Sequence, residues 1–134
     1  MNIMNIRTAL TINTVMDLLF GIGFLLLPGF LLQLFGMSSA PEIAFIAQLL
    51  GAALIGIALI VWLVRDSGYS PPVRAILIGL LIFNVLGFTV SLLAVLTGVM
   101  NAVGWIIPAA FLLEALPRVY FLFINPPREM LPDV

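Results

Sequence analysis

Four long apolar stretches determine what this chain can fold into. They cover residues 8–27, 42–64, 73–97 and 102–124, and the segments PGF, SPP and NPP mark three of the boundaries. A helix of about 20 mostly apolar residues crosses the hydrocarbon core of a bilayer. Proline disfavours helix at the residue before it, so these segments are sensible ends. The sequence therefore predicts one all-α transmembrane domain over residues 1–134, an integral membrane four-helix bundle.

The composition excludes a water-soluble fold. Hydrophobic residues make up 63% of the chain and charged residues only 8%, whereas soluble domains carry about 25% charged residues. The lipid bilayer is thus the first expected partner, and a net charge of −1 gives no indication of nucleic acid binding. The first apolar stretch lacks a charged leader and a small-residue cleavage site, so we expect a retained helix rather than a signal peptide.

Three residue types are missing, and each absence removes a class of chemistry. Without cysteine there are no disulfides or iron–sulfur ligands, and without histidine haem, copper and ordinary zinc sites are disfavoured. Without lysine no Schiff base can form. We therefore predict no cofactor and no metal site, and no sequence motif identifies a catalytic residue.

The arginines predict the orientation. Arg7 precedes the first span, Arg65 and Arg74 flank the loop between the second and third spans, and Arg128 lies in the tail of residues 125–134. The other two loops carry no basic residue. Because basic loops stay in the cytoplasm, we expect both termini and the middle loop to be cytoplasmic. The expected location is a bacterial plasma (inner) membrane.

The segment between the first two spans is too short to cross a membrane. We expect a short interfacial helix, or a kinked extension of the first span past Pro28, ended by Gly36 in the left-handed conformation. The following SAPE has the pattern of a capping box, with Ser39 as N-cap and Glu42 three residues later. This pattern gives Glu42 a structural role and not a functional one.

The second hairpin repeats this turn. LFGMSSA and LTGVMNA share leucine, glycine and alanine at matching positions, which predicts Gly98 as the C-cap glycine and Asn101 as the next N-cap. Two interpretations are open. The halves derive from an internal duplication, or two similar turns solve one geometric problem.

Five polar side chains lie at similar depth on three spans. Counted from the cytoplasmic ends at 1.5 Å per residue, Asp17 and Glu114 lie roughly 15 Å deep and Asn84 roughly 18 Å deep. Asn13 and Arg118 lie about one turn lower, each four residues from its acidic neighbour. The spacing predicts that these five side chains face the bundle interior and form a buried polar cluster, which is the candidate binding site.

The cost of a charge in the membrane constrains how these groups are used. Each central charge costs about 2.5–3.5 kcal/mol, so Glu114 should pair with Arg118 or be protonated. Arg118 has an alternative, because its long side chain can snorkel to the interface. Asp17 as a protonated structural group and Asn84 as interhelical glue are also open interpretations.

The stretch FGIGFLLLPGFLLQLFG, followed by AQLLGAALIGIALIVWLVR, resembles small bacterial four-helix membrane proteins of the DoxX-like kind. The similarity covers the first half of the chain best: a span ending in proline, an apolar turn closing on glycine, and a second span rich in small residues. The resemblance implies the four-span fold and a bacterial origin. It transfers no catalytic residue to this chain.

Three functions are compatible with this pattern. In the first interpretation the polar cluster is a site that binds or passes a proton, a small cation or the polar head of a lipophilic ligand, with a homo-oligomer needed for a full conduit. Alternatively the chain is an accessory subunit of a larger membrane complex, with the cluster as internal glue. A third interpretation makes Asp17 and Glu114 the acid–base pair of an intramembrane enzyme, but no nucleophile motif supports it and we lean against catalysis.

Overall fold

The computed structural model describes residues 5–126 and contains four helices long and apolar enough to cross a membrane. In chain order the elements are α1 (Ile6–Leu26), α2 (Pro28–Leu34), α3 (Pro41–Val64), α4 (Pro71–Leu96), a 3₁₀ turn (Ala102–Trp105), α5 (Ile106–Val119) and a π-helical turn (Tyr120–Ile124). The last three form the fourth apolar span, Ala102–Ile124. The predicted all-helical fold, with four helices of membrane-spanning length and hydropathy, is confirmed for residues 5–126. Arg128 and most of the predicted tail lie outside the described residues.

Prolines start three of the helices, and this overturns the predicted capping box. α3 begins at Pro41 with Ala40 as N-cap and no side-chain cap. Proline suits the first helical position because its missing N–H is one that the helix leaves unbonded anyway. Glu42 therefore occupies the second helical position. The Ser39 hydroxyl instead accepts a hydrogen bond from Gln33 Nε2, at 3.1 Å.

The two turns adopt the same helix-ending motif. Gly36 and Gly98 have φ values of 75° and 78°, the left-handed region that favours glycine. At the end of α2 the Met37 amide donates to the Leu32 carbonyl, and at the end of α4 the Val99 amide donates to the Ala94 carbonyl, both at 2.8 Å. These bonds define Schellman motifs, so both predicted C-cap glycines are confirmed, as is the short helix after Pro28.

Close packing within each hairpin depends on small residues. α1 packs mainly along α3, and α4 packs mainly along α5. A Cβ atom on Gly51 would lie 2.6 Å from both the Gly21 carbonyl oxygen and the Leu25 amide nitrogen. Only glycine lets the α1 and α3 backbones approach this closely, as is common at helix contacts in membranes.

Two apolar clusters join the hairpins. One lies at the end of the bundle that carries Arg7 and the α3–α4 loop, called the basic end. The other lies at the end formed by residues 35–40 and 97–101, called the turn end. The basic-end cluster contains Leu10, Val61, Leu77 and Phe121, and the turn-end cluster contains Phe24, Leu32, Phe35, Ala47 and Met100. The interior between these clusters, bordered by all four spans, is called the seam.

Polar contacts reinforce both ends. At the basic end, Arg7 Nε lies 2.8 Å from Asp66 Oδ1 in the α3–α4 loop. At the turn end, the Asn101 amide donates to the Phe35 carbonyl and its side chain donates to the Leu34 carbonyl. The Asn101 side chain also accepts from the Val103 amide, which confirms it as an N-cap. These contacts join the two hairpins at both ends of the bundle. Between the ends, in the seam, the backbones of the two hairpins are not in close contact.

Candidate functional site

The seam contains the five polar residues that the sequence places at one depth. Asn13 and Asp17 lie on α1, Asn84 on α4, and Glu114 and Arg118 on α5. Asn84 is completely buried, and the side chains of Arg118 and Glu114 are only 4% and 9% exposed. The structure therefore places all five inside the bundle. Their role as a binding site stays a prediction.

Two contacts along the helices organise the cluster. The Asn13 side-chain amide donates to Asp17 Oδ2, four residues later on α1. Arg118 Nη1 lies 3.4 Å from Glu114 Oε2, also four residues apart. Glu114 therefore has the expected counter-charge. Arg118 is buried in this pair instead of extending to the interface, because the seam offers its guanidinium a carboxylate at the same depth.

Two buried polar atoms in this cluster have no hydrogen-bond partner among residues 5–126: Asn84 Oδ1 and Arg118 Nη2. The Asn84 amide nitrogen is used, since it donates to the Phe111 carbonyl at 3.2 Å. An unpaired buried polar group costs about 1–3 kcal/mol, so native proteins rarely retain one. One free acceptor and one free donor therefore remain inside this cluster.

The charges of the cluster do not balance. Asp17 and Glu114 supply two carboxylates and Arg118 supplies one guanidinium, so the three groups sum to −1 when all are ionised. The charged residues of α3 and α4 are Glu42 and Arg74. Each lies in the first turn of its helix, far from the cluster along that helix. Asp17 is bonded to a neutral amide, not to a cation. One negative charge in the seam therefore lacks a counter-charge.

Two cavities border the cluster on either side of Glu114. The first, of about 280 Å³, opens toward the basic end and is lined by Asn13, Glu114 and Arg118 together with apolar residues from Ile6 to Phe121. The second, of about 100 Å³, is lined by both Asp17 and Glu114 and otherwise by apolar side chains. Asp17 and Glu114 thus both line one small cavity, and Glu114 lines the first cavity as well.

Aromatic rings form much of the second cavity, and the sequence argument missed them. Phe20 and Phe24 line it from α1, and Phe83 meets Phe111 edge to face with ring centroids 5.5 Å apart. A signal for the first pair was present, because Phe20 and Phe24 follow Asp17 by three and seven residues and so share its helix face. No comparable signal links Phe83 to Phe111, since their contact depends on how α4 meets α5.

Thr14 is also buried beside the cluster, but its hydroxyl is used within its own helix. It donates to the Leu10 carbonyl at 3.0 Å, so it offers no free donor to the seam. Among residues 5–126, no three side chains of the histidine, cysteine, aspartate and glutamate types come together as metal ligands would.

Comparison with protein family models, with curated proteins and with solved structures finds no match to this chain. The similarity to small four-helix bacterial membrane proteins stays an expectation. The interpretation of the site therefore depends on its own geometry and charge.

Proposed function

We propose that this is an integral membrane protein of a bacterial plasma membrane whose polar cluster binds one positive charge, as a proton or as the cationic head of a lipophilic ligand. The observation that carries the proposal is the shared cavity, which both Asp17 and Glu114 line. A single guanidinium, that of Arg118, accompanies them. The cluster is therefore one positive charge short.

The missing positive charge matters because the cluster lies within the membrane-spanning helices. An uncompensated charge at the centre of a span costs about 2.5–3.5 kcal/mol, and a buried carboxylate takes up a proton rather than remain unpaired. In the resting protein a proton on the cluster supplies the missing charge. A bound cation supplies it equally well, so cation binding releases that proton, and the seam is neutral before and after the exchange.

The basic-end cavity provides the route for this proton. It reaches from Glu114 and Arg118 to Ile6 in the first turn of α1. The free donor on Arg118 Nη2 borders this space and suits a bound water. Under the arginine-based orientation, with both termini in the cytoplasm, the proton is exchanged with the cytoplasmic side.

Cysteine labelling tests this orientation, because the chain contains no cysteine of its own. Ser38 lies at the turn end and Ser67 in the α3–α4 loop, and both are exposed. A membrane-impermeant maleimide added to intact spheroplasts should label Ser38→Cys and leave Ser67→Cys unmodified until the cells are lysed. The reverse pattern would overturn the orientation while leaving the site unaffected.

Cation binding is tested with butylammonium, a small probe without a long chain. Isothermal titration of the purified protein in a nonionic detergent, in two buffers of different ionisation enthalpy, gives both the affinity and the number of protons released. We expect one proton released per butylammonium bound, and we expect Asp17→Asn to lose both binding and release.

Asp66→Asn is the matched control, since it makes the same carboxylate-to-amide change on an exposed loop. It should behave like the parent protein. Butylammonium binding that releases no proton, or that survives Asp17→Asn unchanged, would contradict the proposed function.

A further inference from the structure

A cavity of about 480 Å³ lies between α3 and α4 at the turn end. None of its lining side chains is charged, and Ser91 is the only one with a polar side chain. The Ser91 hydroxyl donates to the Gly87 carbonyl of its own helix at 2.7 Å, so it presents no free donor. The volume falls within the range of about 300–1,000 Å³ that is typical of ligand pockets.

This apolar cavity adjoins the cavity that Asp17 and Glu114 line. The two cavities share five lining residues: Phe24, Leu50, Phe83, Ile107 and Phe111. Along α4 the apolar cavity reaches Ala94, ten residues beyond Asn84, a rise of roughly 15 Å. The seam therefore contains two adjoining cavities, one bordered by acidic residues and the other without any charged residue.

The apolar cavity is open to the surrounding lipid. Three of its lining side chains, Ile46 on α3 and Leu86 and Val90 on α4, are more than half exposed on the outside of the bundle. They border the gap between α3 and α4, which are not joined by close backbone contact in the way that α1 and α3 are. A hydrocarbon chain can thus enter sideways from the membrane without passing through water.

We propose that the ligand of this site is a single-chain amphiphile with a cationic amine head, held with the amine between Asp17 and Glu114 and the hydrocarbon chain in the cavity between α3 and α4. The inference rests on the proposed function and specifies its ligand class. Charge complementarity selects the head, because an amine restores neutrality. A carboxylate head would add a second unbalanced negative charge, and an alcohol head would leave the first one in place.

An ammonium group carries only donors, so its partners in this cavity are the two acidic side chains that line it, those of Asp17 and Glu114. The carboxylate of Asp17 accepts a hydrogen bond from one neutral amide and keeps further lone pairs for a ligand.

The test compares four probes on the purified protein in nonionic detergent: decylammonium, decanol, decanoate and butylammonium. Native mass spectrometry counts the bound molecules and thermal unfolding reports the stabilisation. We expect one decylammonium per chain, with a rise in Tm, and no comparable rise with decanol or decanoate at the same mole fraction in the micelle. Equal stabilisation by decanol would overturn the cationic head.

Two variants fill the apolar cavity from opposite helices without touching the cluster: Ala47→Leu on α3 and Ala94→Leu on α4. Excess volume in a packed space typically costs 1–3 kcal/mol, so decylammonium should bind roughly tenfold to a hundredfold more weakly. Butylammonium should bind as before. Ala53→Leu, on an exposed position of α3, is the matched control and should leave both probes unchanged.

The outcomes separate the two proposals. If both amines bind the filled variants normally, the chain site is wrong and the charge site stands. If neither amine binds the parent protein, the proposed function fails as well.

A photo-crosslinking experiment needs no variant. Decylamine with a terminal diazirine, irradiated on the parent protein, should modify residues 43–47 and 87–94, and modification confined to the basic end would overturn the proposal.

Discussion

Removing both carboxylates of the polar cluster should destabilise the protein by more than the two single changes together. The reason is that Arg118 has two acidic neighbours. Glu114 is in direct contact at 3.4 Å, and Asp17 is close enough for a favourable Coulombic interaction. Either carboxylate alone balances the guanidinium. Only the double variant Asp17→Asn/Glu114→Gln leaves a buried arginine without a counter-charge.

The structure sets the expected magnitudes. Asp17→Asn removes the carboxylate that is not in direct contact with Arg118 and keeps an acceptor for Asn13, so we expect a cost of about 0.5 kcal/mol. Glu114→Gln removes a charged hydrogen bond but leaves a neutral acceptor and the charge of Asp17, which gives about 1.5 kcal/mol. Arg118 is only 3% exposed, and breaking a buried ion pair by removing its acid costs about 3–5 kcal/mol. The double variant should therefore lose about 4 kcal/mol, with a coupling of about 2 kcal/mol.

Reversible unfolding in mixed micelles provides the assay. Sodium dodecyl sulfate is titrated into the folded protein, and the fluorescence of Trp62 and Trp105 follows the transition. Adding Arg118→Met to the double variant removes the unpaired charge and should recover most of the lost stability. Additive single effects, or a triple variant no more stable than the double, would show that Arg118 is not balanced by both acids.

Three further predictions concern the packing and the ends of the bundle. Gly51→Ala should cost about 1–3 kcal/mol, because its methyl group would collide with the α1 backbone, whereas Gly56→Ala meets open space and should be neutral or slightly stabilising in the same unfolding assay. Asn101→Ala should cost about 1–2 kcal/mol, since it removes an N-cap and the side-chain bond to the other turn. Asp66→Asn should cost less than about 1 kcal/mol, and less again at high salt, because its ion pair with Arg7 is exposed; a larger loss would show that this pair holds the basic end.

The spans could be predicted from the sequence because membrane length and proline act locally. Each observed span begins and ends within two residues of its predicted boundaries, and the two largest shifts are at the start of α1, which is Ile6 rather than Thr8, and at the start of α4, which is Pro71 rather than Val73. The capping box failed for a local reason too, since Pro41 took the first helical position. The π-helical turn after Pro117 was not predicted. Its backbone pattern depends on how two of its own side chains, Phe121 and Leu122, pack into the basic-end cluster.

The depth of the polar cluster could also be predicted, because a helix rises by a fixed amount per residue. The sequence did not decide whether Arg118 extends to the membrane interface or pairs with Glu114, because its side chain is long enough for either. Packing between helices decides this, as it decides the edge-to-face contact of Phe83 with Phe111. The cavities are set by the same packing, so neither their volumes nor the residues they share have a signature along the chain.

The candidate site lies where the bundle is least tightly packed, and this follows from how its hairpins are made. Gly51 brings α3 against the backbone of α1, and Gly87 lies so close to the Phe111 ring that a Cβ there would collide with it. Each hairpin is therefore a stiff unit with little room inside. The space left for a ligand is between the hairpins, where contacts at the two ends set the separation. The site is thus a consequence of joining two closely packed pairs at their ends, and the polar residues lie in the part of the seam between those ends.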